Sequence, residues 1–570
     1  MSSNPSFHPP ELERAIALHR QGDIGAALPI YTHLSQTRPE LAEPWHLLGV
    51  IELQKGAPDK AEPLLRAALE RDGTHMKCLS NLGAALYQLD RLEEAERALR
   101  QALELDPDYV EARYNLGNVL TKAERDEDAM TAFDHVLKLQ PNHAKALINA
   151  GVLHAQHNLH DQAMAYLLQA RALAPDDFSC LVNLALSAER LNQMELAKDA
   201  VASALAQQPD HPTANLIAAQ IDYREKRFDD ALAKLAAVAS QPNPSITAKL
   251  HIEALHTIGL VHDAMAEHDA GHADLAFTSF AAANALDRED TVAAGVDPRR
   301  YVARINDASD RLARFTPTAA VTDATHTPPV FFVGFPRSGT TLLEQMLAAH
   351  EGVLTTNEIS PLERISGDIL AAPDLDAVDW SALRARFWAV AEDTAGSLNG
   401  RMLVDKMPLN IEYLDLAARL FPDAKLLMAL RDPRDVCLSC FMQHFERTFA
   451  MTNFQTLDDT ARLYDKVMGL WLQQRDALGL GWLEYRYEDL VEDMDATLKP
   501  VLDFLGLDWS DAIRNYRNQA QSGRVITPSY AQVGEKLYSR ASGRWTKYAN
   551  HLHGIHPTLA PYIDAFRYEG

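Results

Sequence analysis

Near the middle of the chain, Val330-Phe331-Phe332-Val333-Gly334-Phe335-Pro336-Arg337-Ser338-Gly339-Thr340-Thr341 has residue types and spacing suited to binding an anion. The short apolar run reads as a buried strand. A turn with Gly and Ser follows, and then Leu342, Leu343, Met346 and Leu347 recur at helical spacing. A loop between strand and helix turns backbone N–H groups toward an anion, and the helix dipole favours its charge. Gly334 and Gly339 are spaced as in the nucleotide-binding loop G-x-x-x-x-G-K-[ST], but Thr340 stands where the Lys belongs. That Lys reaches the terminal phosphates of a nucleoside triphosphate. Its replacement argues against ATP or GTP, and so against an ATP-dependent kinase. The cation of this loop is Arg337, inside it. A second short apolar strand, Leu426-Leu427-Met428-Ala429-Leu430, ends at Arg431, and Ser439 lies two helical turns further on. The guanidinium of Arg431 offers a fork of donors to a phosphate. Two anion sites at two strand ends suit one ligand with a phosphate at either end.

Pro336-Arg337-Ser338-Gly339-Thr340-Thr341 resembles the 5′-phosphosulfate loop of sulfotransferases. Arg431 with Ser439 resembles the motif that grips the 3′-phosphate of their donor, 3′-phosphoadenosine 5′-phosphosulfate (PAPS). From about Pro329 to Tyr568 the chain is similar to the tyrosylprotein sulfotransferases and to bacterial tetratricopeptide-sulfotransferase proteins. The resemblance implies transfer of a sulfuryl group from PAPS to an acceptor hydroxyl. It makes Glu358, in Thr356-Asn357-Glu358-Ile359, the base that takes the acceptor's proton. It pairs Arg337 with Lys406, in Val404-Asp405-Lys406-Met407-Pro408, as the cations that stabilise the sulfate oxygens and the leaving phosphate. No metal is needed if Arg and Lys supply the charge. Tyr487 in Tyr485-Arg486-Tyr487-Glu488-Asp489-Leu490, Ser529 in Ser529-Tyr530-Ala531-Gln532-Val533 and Arg544 in Gly543-Arg544-Trp545 complete the implied donor site. Arg544 stands where the family has Lys, and Arg540 competes for that place. Arg434 and Asp435 are expected to pair locally. His350 is the rival base, because other sulfotransferases use His. A tetratricopeptide scaffold with an inactive sulfotransferase-like domain is the alternative of another class.

These residues need a scaffold, and the N-terminal half shows a different grammar. Ala27, Ala61, Ala95, Ala129, Ala163, Ala197 and Ala231 are successive steps of 34. Pro39, Pro107, Pro141, Pro175 and Pro209 lie on the same lattice, with Gly73 in one gap. Trp45-x-x-Leu48-Gly49, Leu82-Gly83, Leu116-Gly117 and Ala150-Gly151 precede the Ala at fixed offsets. This period resembles the tetratricopeptide repeat, a helix-turn-helix unit. Seven units run from about His8 to Pro242. A degenerate eighth follows around Ile258-Gly259, Ala276, Phe280 and Ala283. Such arrays stack into a superhelix with a groove, which implies a protein or peptide partner. Asn81, Asn115, Asn149 and Asn183 recur at steps of 34; they either clamp a bound peptide or bridge neighbouring repeats. The fold expected is an all-α tetratricopeptide superhelix followed by an α/β P-loop-like sulfotransferase domain with a central parallel sheet. The boundaries read as a tail over 1–7, the array over 8–285, a helical connector and linker over 286–328, and the sulfotransferase domain over 329–570.

Composition limits the rest. At 570 residues the chain exceeds one ordinary core. A formal net charge of −25 argues against nucleic-acid binding, which needs a basic footprint. Four Cys are too few for a disulfide framework and suggest a reducing compartment. Cys437 and Cys440 have C-x-x-C spacing with no second pair to complete a zinc site. His154, His157 and His160, and again His551, His553 and His556, are clusters read as surface His. No cationic stretch leads into an apolar core at the N-terminus, and no run reaches the roughly 18 apolar residues of a membrane span. A cytoplasmic protein is expected. The acceptor stays open among a protein tyrosine, a sugar, a lipid and a small metabolite, and so does the oligomeric state.

Overall fold

The computed structural model describes residues 9–239, 247–317, 326–372, 374–516 and 542–569. The chain forms two compact units, Met1–Lys234 and Leu235–Gly570.

The first unit is a stack of helix pairs, from Pro10–Arg20 with Ile24–Thr37 to Pro212–Arg224 with Phe228–Ala239. The lattice alanines are all fully buried. Gly49, Gly83, Gly117 and Gly151 are there for close approach: a Cβ on Gly83 would sit 2.5 Å from Leu99, and one on Gly117 2.6 Å from the Phe133 ring. Each lattice proline stands two residues past its helix, as Pro107 does after Leu92–Leu105, because a proline cannot continue the ladder. The turn within each pair carries a left-handed residue at a fixed lattice position. Gly22 and Gly56 take it in the first pairs, then Asp90, Glu124, Asn158, Asn192 and Lys226. The recurring asparagines bridge repeats. Asn81 Nδ2 lies 2.9 Å from His46 Nε2, Asn115 donates to Ser80 Oγ at 3.4 Å, and Asn149 donates to Asn118 Oδ1 at 2.7 Å. Asn183 instead bonds Ser179 O of its own helix at 2.8 Å.

The second unit is built on a five-stranded sheet of order β2-β3-β1-β4-β5, parallel throughout. The strands are β1 (Val330–Gly334), β2 (Val353–Thr355), β3 (Met402–Lys406), β4 (Lys425–Leu430) and β5 (Gly481–Arg486). Every residue of β1 is buried, as a central strand covered on both faces should be. β3 and β4 flank β1 on opposite sides, so the strand order reverses at β1. Parallel sheets bind ligands at such a switch point, beyond the carboxyl ends of the strands. Gly334, Lys406 and Leu430 are those ends.

The eighth helix pair, Ala248–Met265 and Gly271–Ala293, belongs to this second unit rather than to the array. Its helices have 18 and 23 residues, where the regular repeats have mostly 13 and 14. A Cβ on Gly259 would meet Phe280 at 2.7 Å, so the pair keeps the repeat's own packing. The pair also joins the core beside the sheet: Ala273, Ala276 and Phe280 share one apolar cluster with Phe331 and Met428. His256 Nε2 lies 2.8 Å from Met442 O, and Asn284 donates to Phe441 O at 2.9 Å. The helix Arg299–Leu312 is tied to the same unit by Arg304–Glu412 at 2.7 Å and Arg311–Asp415 at 2.8 Å. By packing, this pair stands with the sheet.

Candidate active site

The loop after β1 turns sharply. Arg337 has φ 69° and Gly339 φ 90°, both left-handed. Gly339 caps the helix Thr340–Ala348, and a Cβ there would strike the Tyr487 ring at 2.4 Å. A Cβ on Gly334 would strike Ser338 Oγ at 2.6 Å. Gly334 is therefore fixed by space, and Gly339 by space and dihedral. Pro336, Ser338, Thr340 and Thr341 are buried. Ser338 Oγ, on a residue 1% exposed, has no hydrogen-bond partner among the described residues. A buried hydroxyl left this way asks for a polar ligand.

The end of β4 meets this loop. Arg431 donates from Nη1 to the carbonyl of Arg337 at 2.9 Å, and its guanidinium lies 5.2 Å from the Tyr487 ring centre. Arg337 donates from Nε to Ser439 Oγ at 3.1 Å. Burial, followed by the Arg431 guanidinium, pulls the pKa of Arg337 down to about 10. Arg337 still carries its charge at neutral pH. Pro336, Arg337, Ser338, Arg431, Ser439 and Tyr487 thus converge from three strand ends.

The helix after β4 does not pair as expected. Arg434 takes Asp432 as its partner at 2.7 Å, not Asp435, and its guanidinium stacks 3.7 Å from the Trp545 ring centre. Asp435 accepts instead from the N–H groups of Gly543 at 2.8 Å and Trp545 at 2.7 Å, and burial pushes its pKa up to about 6. This fastens the segment of Arg544 to the β4 helix. Arg544 itself is ion-paired with Asp263 at 2.7 Å, from the eighth helix pair. Ser529 and Arg540 lie outside the described residues.

At the end of β3, Lys406 is fully buried, and its Nζ sits between two carboxylates, Glu358 Oε1 at 2.5 Å and Glu344 Oε2 at 2.8 Å. The Glu358 side chain is 32% exposed, so it also faces outward. It occupies a turn with φ 67°, following Asn357 at φ 48°. The segment is pinned from below. Asp405 accepts from Ser360 Oγ at 3.0 Å and from the Leu362 N–H at 3.3 Å, and the Lys406 N–H donates to Thr356 Oγ1 at 3.1 Å. Burial pushes the pKa of Asp405 up to about 7. Ser360, not Glu358, caps the following helix Pro361–Leu370.

His350 is engaged elsewhere. Its Nδ1 accepts the Gly352 N–H at 3.0 Å, and its Nε2 lies 3.0 Å from Asp508 O. Cys437 and Cys440 are buried free thiols, pushed up by burial. His157 pairs with Asp126 and His551 with Asp274, each at 2.8 Å. Among the described residues, Glu43, His46 and His75 have the spacing of metal ligands. Hydrogen bonds account for two of the three. His75 Nδ1 accepts the Cys78 N–H as a helix cap, which leaves Nε2–H to donate to Glu43 at 2.7 Å.

Sequence reasoning did not find Glu344, Asp263 or the use made of Asp435. Glu344 had one legible signal. It stands among Leu343, Met346 and Leu347 on a helix face, where a carboxylate is rarely buried unless paired.

A parallel sheet carries a glycine loop at its switch point, with two arginines and a lysine–carboxylate pair at the neighbouring strand ends. Residues 328–511 match the model of the sulfotransferase family. Tetratricopeptide-repeat models match residues 12–75, 52–102, 83–124, 110–143, 127–178 and 182–245. The chain thus joins a tetratricopeptide array to a sulfotransferase-family domain. It is similar to an uncharacterized protein of Aquifex aeolicus, 27% identical over 39% of this chain and 31% of that one. It is also similar to protein-tyrosine sulfotransferase 2 of Gallus gallus, 27% identical over 38% of this chain and 63% of that one. The chain therefore spans about a third to just under two thirds of the curated relatives it matches first. The crystal structure of MamA is 24% identical over 28% of this chain and 94% of that one, with a TM-score of 0.26. No described helix is long and apolar enough to cross a membrane.

Proposed function

We propose that the second unit transfers a sulfuryl group from PAPS to an acceptor hydroxyl. The observation that carries this is the convergence of Arg337, Arg431 and Ser439 beside a buried lysine that holds a partly exposed glutamate. The donor supplies an activated sulfuryl group, whose S–O bond to the nucleotide breaks as the acceptor oxygen bonds to sulfur and the electron pair leaves with the phosphate. The unpartnered Ser338 Oγ, the loop N–H groups and the two arginines suit its phosphates. Glu358 takes the acceptor's proton on its exposed carboxylate. A free glutamate has a pKa near ~4.3 and a phenol near ~10, so an acceptor tyrosine needs the cations beside it to make its proton mobile. Arg337 and Lys406 stabilise the charge that spreads over the transferring group, mainly by being held in place beforehand. Thr340, Thr341, Tyr487, Ser529 and Arg544 complete the proposed donor site.

The names of the relatives support a protein or peptide tyrosine as acceptor, and the array supports a protein or peptide partner. The proposed setting is the cytoplasm, with the sulfotransferase domain over 329–570. Calorimetric titration with the product nucleotide, 3′-phosphoadenosine 5′-phosphate, and with ATP tests the donor. The product nucleotide is expected to bind, ATP not, and R431A to abolish binding. A folded protein that binds ATP alone would overturn the reading in favour of a kinase. One that binds neither would leave a scaffold.

A further inference from the structure

The reaction just described leaves one buried carboxylate unused. Glu344 is 1% exposed on the helix that begins at the anion loop. Its two oxygens do different things. Oε2 lies 2.8 Å from Lys406 Nζ, and Oε1 accepts the N–H of Asn357 at 3.1 Å. One side chain therefore touches both the strand-end lysine and the backbone beside Glu358. That backbone holds two consecutive non-glycine residues in the left-handed region, a conformation that persists only where the surroundings over-determine it.

The charged groups facing Lys406 are Glu344, from the loop helix, and Glu358, from the segment after β2. Its neighbour Asp405 turns instead to Thr356, Ser360 and Leu362. The two facing carboxylates differ in one decisive respect: Glu358 is 32% exposed and Glu344 1%. Glu358 can meet an acceptor, and Glu344 cannot. When Glu358 takes a proton it becomes neutral, and Lys406 loses one of its two counter-ions. A fully buried ammonium with no counter-ion tends to give up its proton. It would do so as charge develops on the departing phosphate.

We infer that Glu344 is a positioning residue, the lasting counter-ion that keeps Lys406 charged and in place while Glu358 cycles between its charged and neutral forms. This rests on the proposed sulfuryl transfer. Through Asn357 the same carboxylate also holds the turn that aims Glu358. The division of labour requires that the charge of Glu344, beyond its shape, matter to turnover.

The test uses the full chain, with PAPS as donor and a synthetic tyrosine-containing peptide as acceptor. E344Q keeps an oxygen for the Asn357 N–H and removes the charge. It is expected to bind 3′-phosphoadenosine 5′-phosphate within about threefold of wild type, to lose about tenfold or more in kcat, and to shift the alkaline limb of its kcat–pH profile down by about one unit. Added to K406M, it should cost little more, because Glu344 acts through Lys406. An unmoved alkaline limb, or fully additive losses, would overturn the inference. Should E344Q fail to bind the nucleotide, E344D decides. It keeps the charge, so kcat falls while the limb stays at the wild-type pH; a limb displaced in E344D overturns the inference too. Absence of any sulfuryl transfer by a wild-type protein that binds the nucleotide would sink the functional reading instead. Wild-type transfer with a wild-type profile in E344Q sinks only the role of Glu344.

Discussion

Glu358 and His350 were the two candidate bases, and their contacts separate them. Glu358 is partly exposed and held by Lys406, whereas His350 spends both ring nitrogens on a turn and on Asp508 O. E358Q is therefore expected to lower kcat by about 100-fold or more, in the range of general-base loss, with nucleotide affinity retained. H350A should keep transfer and lose about 1–3 kcal/mol of stability, read by denaturant unfolding. Transfer abolished by H350A alone would reverse the assignment. Asp405 gives a pH prediction. Its pKa is pushed up to about 7 by burial, against ~3.9 for a free aspartate. The folded protein therefore binds a proton that the unfolded chain releases. This contribution to stability is full below about pH 4 and is lost as pH rises through about 7. Glu412, up to about 7, and Asp435, up to about 6, act in the same direction. In D405N the fall in Tm between those pH values should be shallower than in wild type, and an equal fall would exclude Asp405 as its source.

At the scale of elements, the loop between β1 and its helix is fixed by two glycines. G339A has to place a side chain at φ 90° and 2.4 Å from the Tyr487 ring. It is expected to abolish binding of the product nucleotide while far-ultraviolet dichroism stays nearly unchanged, because the helical array belongs to the other compact unit. Wild-type affinity in G339A would show that the loop does not hold the ligand. Glycines at equivalent places in the repeats do another job, letting Leu99 or Phe133 approach the facing helix. The residue type is the same, and the reason is local in one case and packing in the other. This is why the loop and the repeats could both be read from spacing. The left-handed lattice position could not, because five residues of four types, none of them glycine with its φ freedom, occupy it after Gly56.

At the scale of the whole molecule, the eighth helix pair packs on the sulfotransferase unit and brings Asp263 to Arg544. If Arg544 serves the donor, Asp263 competes with the donor for it. D263N is expected to tighten binding of the product nucleotide by about threefold to tenfold, as removal of one partly exposed ion-pair partner would. Unchanged affinity would remove Arg544 from the donor site. The sequence by itself determined the seven regular repeats, the glycine turn between strand and helix, and the parallel sheet that carries it. These are short-range signals: a period of 34, a turn between strand and helix, and apolar runs. Only the tertiary structure decided that Glu344 shares Lys406 with Glu358, that Asn81, Asn115 and Asn149 reach the preceding repeat, and that the eighth pair packs beside the sheet. Those contacts join residues from 13 positions apart to 281, as in Asn357 with Glu344 and Arg544 with Asp263. Neither propensity nor periodicity says which two distant charged groups meet; the fold's topology chooses which of them are buried together.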